Sequence, residues 1–215
     1  MDPDRPYELI TAYSKAGSIG PYSSLLALLP EFGIGFSVLV AGDHALNNWV
    51  LADTLGNSIL PAVQQVVRKE TQANYAGKYS SSELNSSVTF TTDASKPGLG
   101  ITSWISNGTV MMAVSSYLLT SSISANFSAK LYPTDLQVTA VDGSKQVVLK
   151  AIFEDLANQA KDSMFTAGCG TWIGPTAFVY GALALDEFIY TLDPSGNAVS
   201  VEVSALRLSM SRTST

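Results

Sequence analysis

The order of apolar and polar positions divides the chain into three stretches, and the first is typical of strands. Tyr22–Leu29 is mostly apolar and has no charge, as expected of a strand buried on both faces. Residues 35–41 are rich in valine and phenylalanine, which favour strands. Pro30-Glu31-Phe32-Gly33 between them has the composition of a turn. Residues 7–41 therefore predict strands that include a hairpin in the core of a larger sheet.

The second stretch predicts a long helix. Apolar residues recur at close to helical spacing between Leu46 and Arg68. They are Trp49, Val50, Leu55, Ile59, Leu60, Val63, Val66 and Val67. Pro61 lies inside this pattern, and we expect it to kink the helix or to split it in two. A helix that follows two buried strands is expected to pack across the sheet they form.

The third stretch, from residue 72 to the end, predicts short strands. The segments are residues 77–80, 88–92, 101–106, 109–117, 129–132, 147–153, 172–180, 188–192, 199–203 and 206–210. Asn107-Gly108 is the strongest hairpin signal, and Asp142-Gly143 and Ser195-Gly196-Asn197 are similar. A short helix is expected over residues 154–161. Many short strands in succession indicate a barrel or a sandwich, with a domain boundary near Thr71.

Composition and charge exclude several classes of protein. Hydrophobic residues make up 46% and charged residues 14% of the 215 residues, as in a folded chain. The net charge is -6 and the 12 Lys and Arg are scattered, so we expect no nucleic-acid partner. No apolar run is long enough to span a membrane, so we expect no membrane partner. The first residues are acidic and polar, and no signal peptide is expected there.

The residues that commonly hold metals and cofactors are sparse. The single cysteine, Cys169, forms no internal disulfide; it is either a small buried hydrophobe or half of a bridge to another chain. His44, the one histidine, is expected in a surface turn. No spacing of His, Cys, Asp and Glu suggests zinc, and no glycine-rich run follows a nucleotide-binding pattern. We therefore expect neither a cofactor nor a metal.

Three asparagines lie in Asn-x-Ser/Thr sequons: Asn85, Asn107 and Asn126. Such sequons matter only in secreted proteins, and a chain rich in Ser and Thr contains some by chance. They are nevertheless compatible with an acidic, charge-poor extracellular protein. We retain all three as candidate glycosylation sites.

Lys15-Ala16-Gly17-Ser18 carries the clearest candidate chemistry. A lysine, a tiny residue and a glycine at the end of a strand place an ammonium beside an exposed backbone, which a ligand can approach closely at Gly17. The N–H that follows can point at a developing oxyanion. Alone, this pattern is common, and in most proteins it is an ordinary strand-end lysine followed by a turn glycine.

Asp186 and Glu187 are adjacent, so they are expected to face opposite sides of a strand rather than form a catalytic pair.

The order of the motifs resembles the C-terminal part of a secreted fungal serine β-lactamase-like hydrolase, of the penicillin-binding-protein superfamily. Lys15-Ala16-Gly17 is similar to the K-T-G element of that family, with alanine in place of threonine. It leads into a S-S-L-L-A-L-L-P hairpin and a long helix. Residues 72–79 resemble the opening of the β-barrel domain that is appended to such proteins. Residues 97–108, 169–172 and 185–188 resemble further motifs of the fungal branch.

This resemblance implies an α+β fold in two domains. Residues 1–71 would form the trailing antiparallel strands and C-terminal helix of a β-lactamase-like domain, and residues 72–215 an antiparallel, lipocalin-like β-barrel. Lys15 would bind the substrate carboxylate or support proton transfer, and Ser18 would contribute its backbone N–H, next to Gly17, to an oxyanion hole. Ala16 lacks the threonine hydroxyl, which suits an esterase or peptidase-like role better than β-lactam recognition. The longer parent protein is expected to be extracellular.

The nucleophile of that family is missing from the sequence. It lies in S-x-x-K, and no lysine here has a serine three positions before it; no Y-x-N triplet is present either. We therefore expect a C-terminal fragment of a hydrolase that cleaves an ester, amide or lactam of a small-molecule substrate, inactive alone. Its partner would be the missing N-terminal part, or a second copy by self-association through the apolar faces of residues 22–41. The alternative is a non-catalytic β-barrel that binds a ligand or a protein.

Overall fold

A computed structural model of the chain describes residues 11–42, 48–93, 96–158, 176 and 178–213. The predictions for His44 and Cys169, and for most of residues 172–177 of the strand predicted over 172–180, concern positions outside these residues. The chain divides into two compact units, Met1–Lys69 and Glu70–Thr215. In the parts of the chain described, no helix is long and apolar enough to cross a membrane.

The first unit contains a three-stranded antiparallel sheet and most of a long helix. The strands are β1 (Tyr13–Ile19), β2 (Tyr22–Leu29) and β3 (Ile34–Ala41), in the order β1-β2-β3. A 3-10 turn at Pro30–Phe32 joins β2 to β3, and it ends at Gly33 in the left-handed conformation, with φ of 62°. The predicted hairpin is therefore confirmed. The expectation that Tyr22–Leu29 is buried on both faces is wrong, because alternate side chains of β2 are exposed.

Helix α1 (Asn48–Asn74) covers one face of this sheet. Leu25, Ala27 and Val38 pack against Ala52 of the helix and form a small apolar core. The side-chain amide of Asn48 donates a 3.1 Å hydrogen bond to the backbone carbonyl of Ser24, which holds the start of the helix against β2. The expected packing of the helix across the sheet is thus confirmed.

Pro61 lies inside α1 without dividing it. The helix runs for 27 residues through this position, so the prediction of a split is wrong. A proline in a helix interior loses one backbone hydrogen bond, here the one to the carbonyl of Asn57, and crowds that carbonyl. The loss is local, and the turns on either side continue the helix.

The second unit is a closed antiparallel β-barrel. The strands of this unit are β4 (Gly77–Ser81), β5 (Ser86–Asp93), β6 (Lys96–Ser106), β7 (Thr109–Val110), β8 (Phe127–Thr139), β9 (Lys145–Asp155), β10 (Val179–Tyr180), β11 (Leu183–Ala184), β12 (Glu187–Leu192), β13 (Ala198–Val203) and β14 (Leu208–Arg212). Eight of them pair in the order β5-β4-β14-β13-β12-β9-β8-β6, and β6 pairs again with β5 to close the ring. The predicted α+β fold with an antiparallel barrel is confirmed.

The predicted turns join neighbouring strands of the barrel. Asn107-Gly108 connects β6 to β7, with φ of 47° and 77° at the two turn residues, as an Asn-Gly hairpin requires. Asp142-Gly143 lies between β8 and β9, and residues 195–197 lie between β12 and β13. All three hairpins predicted from turn chemistry are therefore confirmed.

The strand predicted over residues 109–117 is wrong. Only Thr109–Val110 is extended, and Met111–Thr120 forms helix α2. This run has no charged residue and few polar ones, so its period is hard to read and a buried strand and a buried helix look alike in sequence. Met111, Ser115 and Ser116 are the buried positions, which is helical spacing. Of the helix predicted over 154–161, residues 154 and 155 instead belong to β9 and Leu156–Asn158 form a 3-10 turn, whereas residues 159–161 lie outside the described residues.

Aromatic side chains fill the described part of the barrel interior. Tyr79, Phe90, Trp104, Phe188 and Tyr190 are all almost completely buried. Their rings meet mostly edge to face, with centroids 5.2 to 5.9 Å apart, the geometry that the ring quadrupoles favour. The centre of the barrel is therefore a packed core.

Arg212, at the end of the last strand, binds the end of α1. Its guanidinium donates hydrogen bonds to the carbonyls of Ala73 at 3.0 Å and Asn74 at 3.2 Å, and to the carbonyl of Ala76 just beyond the helix. The last four carbonyls of a helix have no intrahelical partner, and a cation there also opposes the helix dipole. Arg212 thus caps the helix and fastens its last turn to the barrel.

Candidate active-site wall

The residues singled out from the sequence lie together on β1. Lys15, Gly17 and Ser18 are all exposed, and β1 is an edge strand: within residues 11–42 it pairs with β2 on one side and with nothing on the other. Since side chains alternate along a strand, Lys15 and Gly17 share one face of the sheet and Ser18 belongs to the opposite face. The roles of the three residues in catalysis remain predictions.

The Ser18 N–H points to the free edge of β1. Gly17 pairs with Ser24 of β2, and Ser24 Oγ lies 3.4 Å from the Gly17 carbonyl oxygen, so this carbonyl faces β2. In a trans peptide the C=O and the following N–H point in opposite directions, and the described backbone has no cis bond. The N–H of Ser18 is therefore directed away from β2, where it remains available to a ligand.

The Lys15 ammonium lies at the same edge. Backbone groups of alternate residues on an antiparallel edge strand point outward, so the Ala16 carbonyl shares this orientation with the Ser18 N–H. Lys15 Nζ donates a 2.6 Å hydrogen bond to this carbonyl. The edge therefore presents the Lys15 ammonium and, three residues farther along, the Ser18 N–H, which has no strand partner within residues 11–42.

Gly17 leaves the backbone beside the Lys15 ammonium and the Ser18 N–H accessible, because it has no side chain. A Cβ added to Gly17 would lie 3.5 Å from Ser24 Oγ, an ordinary van der Waals contact, so the fold does not require glycine here. The absence of a side chain instead leaves the backbone open on the face that Gly17 shares with Lys15. This agrees with the sequence-based argument that Gly17 permits close approach of a ligand.

The uncovered face of the sheet continues from this edge as an apolar surface. Leu26 lies opposite Lys15 on β2, and Leu39 lies opposite Ser24 on β3. Ile19 and Leu39 are each 80% exposed, and Tyr13, Tyr22, Leu26 and Leu28 are exposed as well. We call the surface formed by Tyr13, Ile19, Tyr22, Leu26, Leu28 and Leu39 the apolar sheet face. A shallow depression on it is lined by Gly17, Ile19, Tyr22, Ser24 and Leu39, among others.

A second group of charged residues lies in the barrel around Lys150. Its ammonium is 3.1 Å from Oδ1 of Asp186 and 3.2 Å from Oε2 of Glu187, and Asp186 is only 2% exposed. The backbone N–H of Thr176 donates to the second carboxylate oxygen of Asp186. The two adjacent carboxylates thus converge on one cation, an arrangement that the sequence did not reveal because Lys150 is 36 positions away. These ion pairs hold β9 to the start of β12, and they engage both carboxylates, so neither Asp186 nor Glu187 is a good candidate for a general acid or base.

The described residues supply binding groups but no evident reaction centre. No group of three or more His, Cys, Asp or Glu among them could hold a metal ion. The edge of β1 offers an ammonium and a backbone N–H, which can bind and polarise a carbonyl oxygen. The whole sequence lacks the S-x-x-K serine whose attack such donors would assist.

The described residues thus comprise a β-barrel unit and a sheet-and-helix unit whose edge strand β1 is a candidate oxyanion-binding strand. Residues 67–214 match the family described as "Beta-lactamase-like-like, C-terminal domain", and the chain belongs to this family. The predicted membership of a β-lactamase-like family is confirmed.

Three curated relatives are similar to the chain. The probable hydrolase clz13 of Cochliobolus lunatus is 32% identical over 62% of this chain and 22% of the relative. The probable hydrolase M10 of Phoma sp. is 28% identical over 63% of this chain and 23% of the relative. The β-lactamase-like protein of Arthroderma benhamiae is 24% identical over 96% of this chain and 38% of that protein. No solved structure matches the chain significantly.

The matches cover between about a fifth and two fifths of the length of these relatives. The Arthroderma benhamiae alignment takes in nearly the whole chain, and therefore both units. Together, the relatives' names indicate a hydrolase-like family.

Proposed function

We propose that the chain is the C-terminal part of a secreted serine β-lactamase-like hydrolase, in which the free edge of β1 forms one wall of the active site. The observation that supports this most strongly is the outward direction of the Ser18 N–H on the strand that carries the Lys15 ammonium. The nucleophile and the general base come from a part of the parent protein outside this sequence.

The wall has two roles in this proposal. The Ser18 N–H donates a hydrogen bond to the oxyanion that forms when the serine attacks an ester, amide or lactam carbonyl. Lys15 binds the carboxylate of the substrate or supports proton transfer. The methyl group of Ala16 offers a substrate carboxylate no hydrogen bond, which favours an ester or peptide-like substrate over a β-lactam.

The apolar sheet face supports a fragment rather than a complete enzyme. Its six large side chains are exposed on one side of a three-stranded sheet whose other side is covered by α1. Contiguous exposed apolar surface marks a site of protein interaction. The curated relatives are much longer than the region aligned with this chain. In this proposal, the remaining part of the parent protein packs on the apolar sheet face.

A fluorophosphonate probe tests this function. The chain alone, incubated with the probe and with chromogenic ester and lactam substrates, is expected to keep its unmodified mass and to show no turnover. An active serine esterase in the same assay confirms that the reagents work. A covalent adduct on any serine of the chain would show that it carries a nucleophile of its own.

The alternative, a barrel that binds a small ligand without catalysis, has less support. Its interior would have to hold the ligand, and the described interior is filled by the buried rings of Tyr79, Phe90, Trp104, Phe188 and Tyr190. Binding of a protein to the apolar sheet face is compatible with both functions. Hydrolysis by the reassembled parent distinguishes them.

A further inference from the structure

The chain segment that contains α2 carries no charged residue of its own. Between Lys96 and Lys130 there are 33 residues (130 − 96 − 1), and none of them is Asp, Glu, Lys or Arg. Several large apolar side chains of this stretch are nevertheless exposed: Val110, Tyr117, Leu118, Leu119 and Ile123. We call the surface formed by these five residues the α2 surface. Large exposed apolar patches on proteins usually mark places that another molecule or group covers.

Two of the three sequon asparagines flank this surface in the chain. Asn107 is exposed in the β6–β7 turn, immediately before the strand that leads into α2. Asn126 is exposed in the turn between α2 and β8, three residues after Ile123. Both acceptors therefore flank, in sequence, the stretch from Val110 to Ile123 that carries the α2 surface.

Asn85, the third sequon asparagine, is held against the turn of Asn107. Its backbone carbonyl accepts a 3.0 Å hydrogen bond from the Gly108 N–H, and the Asn107 N–H donates to Ser86 Oγ at 2.9 Å. Its side-chain nitrogen lies 3.1 Å from the position that a Cβ on Gly108 would occupy. Asn85 is exposed like the other two asparagines, but a sugar on its side-chain nitrogen would crowd the Gly108 backbone and would require the side chain to rotate away from this turn.

We propose that Asn107 and Asn126 carry N-linked glycans that cover the α2 surface, and that Asn85 is not modified. This inference rests on the extracellular location included in the proposed function. In the reaction, the side-chain nitrogen forms a bond to the anomeric carbon of a lipid-pyrophosphate-linked oligosaccharide. The bond from that carbon to the pyrophosphate breaks, the amide loses one proton and the lipid pyrophosphate leaves.

The glycans would hydrate the α2 surface without adding charge to it. A bulky, hydrated glycan on either side of the stretch from Val110 to Ile123 covers nearby apolar side chains and keeps a second copy of the chain from contacting them. Most protein surfaces achieve this with Lys, Glu, Asp and Arg, which this segment lacks. Glycans on Asn107 and Asn126 would thus explain both the lack of charged residues in this segment and the position of the two sequons.

Intact-mass measurement of the full chain, secreted from yeast behind a fused signal peptide, tests the sites. Two glycans are expected, both removable by an amidase specific for N-glycans. Thr109→Ala and Ser128→Ala should each remove one glycan, whereas Ser87→Ala should leave the mass of the glycans unchanged. Thr109→Ser and Ser128→Thr keep the sequons and serve as matched controls. A glycan on Asn85, or none on Asn107 or Asn126, would overturn the assignment.

Self-association of the same proteins tests the covering role. The doubly glycosylated chain and the Thr109→Ala/Ser128→Ala variant share the same apolar sheet face, so any difference between them reports on the α2 surface. The unglycosylated variant is expected to bind more of a hydrophobic dye and to self-associate at lower concentration. If it is not secreted, an endoglycosidase that trims each glycan of the folded chain to a single sugar gives the comparison without converting the asparagines to aspartate. Equal dye binding and association would contradict the covering role.

These outcomes are independent of the proposed hydrolase activity. A eukaryotic host attaches glycans to an accessible sequon whether or not the protein is part of an enzyme. Loss of the glycan assignment would therefore leave the fluorophosphonate result standing, and a labelled serine would leave the glycan assignment standing.

Discussion

Ser24 Oγ lies 3.4 Å from the carbonyl oxygen of Gly17, across the first two strands of the chain. This contact shows that the Gly17 carbonyl faces β2, and it therefore sets the direction of the next peptide N–H, that of Ser18. The candidate oxyanion donor is available because it lies on the unpaired side of an edge strand. Its orientation follows from strand register alone and requires no strained backbone.

Leu39→Glu should reduce self-association of the chain. Leu39 is 80% exposed on β3, opposite Ser24 of β2, and belongs to the apolar sheet face, so a carboxylate there interrupts the apolar contact between copies. Sedimentation velocity over a concentration series measures the effect. Val141→Glu, which changes an exposed apolar residue in the β8–β9 turn, is the matched control and should have little effect. A wild-type chain that is already a monodisperse monomer would count against the fragment interpretation.

Arg212→Lys should lower the free energy of unfolding of the barrel unit by about 2 kcal/mol, the scale of a lost hydrogen bond to a charged group. The guanidinium reaches the carbonyls of Ala73, Asn74 and Ala76 together because its donors are spread over a planar fork, and one ammonium cannot replace it. Denaturant unfolding followed by circular dichroism measures this. Arg207→Lys, at an exposed turn, serves as the control; equal losses in both variants would contradict the capping role.

Gly98→Ala should destabilise the barrel more than Gly143→Ala does. The two glycines have similar φ values, 80° and 83°, so both substitutions carry the same strain of the left-handed region. A Cβ on Gly98 would also come within 3.1 Å of the Leu131 carbonyl, whereas one on Gly143 would meet nothing within 4 Å. The difference between their unfolding free energies isolates the close approach of β6 to β8, at about 1–3 kcal/mol. Equal losses would show that backbone strain alone explains Gly98.

Stability should fall at alkaline pH because of the buried tyrosines. Burial raises the pKa of Tyr79 to about 12 and raises the pKa of Tyr190 well above its usual value of 10. The folded state therefore holds these phenol protons more tightly than the unfolded state, so this stabilisation is complete below pH 10 and declines as pH rises through about 12. Denaturant unfolding at several pH values, together with phenolate absorbance, follows the change.

Tyr190→Phe is the informative variant for this pH dependence. Among the described residues the Tyr190 hydroxyl has no hydrogen-bond partner, so its removal should cost little at neutral pH. The variant should lose stability less steeply between pH 10 and 12 than the wild type. The exposed Tyr117→Phe change is the control and should leave the slope as it is. A Tyr190→Phe slope equal to that of the wild type would contradict the assignment.

Sequence patterns predicted the parts of the fold that depend on neighbouring residues. The Asn107-Gly108 turn has a backbone requirement that two residues satisfy by themselves, and the β2–β3 hairpin and α1 follow from local apolar spacing. Helix α2 was missed because the period of an uncharged, mostly apolar run is hard to read. The choice of a closed barrel over a sandwich depends on pairings between strands that are distant in sequence, such as that of β4 with β14, which no local pattern encodes.

The sequence predicted which residues belong to the candidate site, but it did not predict the direction in which their backbone groups point. Lys15 and Gly17 could be identified from their motif and from the motifs that follow it. The direction of the Ser18 N–H depends on the pairing of Gly17 with Ser24, which is a matter of strand register. Likewise, the convergence of Asp186 and Glu187 on Lys150 joins strands that are distant in sequence, and only the folded chain brings them together.

A chimera measures the role of the β1 edge most directly. In it, this chain replaces the aligned region of the Arthroderma benhamiae β-lactamase-like protein, and kcat/KM for hydrolysis of a chromogenic ester is compared between variants. Lys15→Ala should lower kcat/KM by on the order of 10²-fold, as expected on losing a charged group that binds the reacting substrate. Lys78→Ala, at an exposed position on β4, should leave it unchanged. An active chimera in which Lys15→Ala also leaves kcat/KM unchanged would contradict the assignment of β1 as an active-site wall.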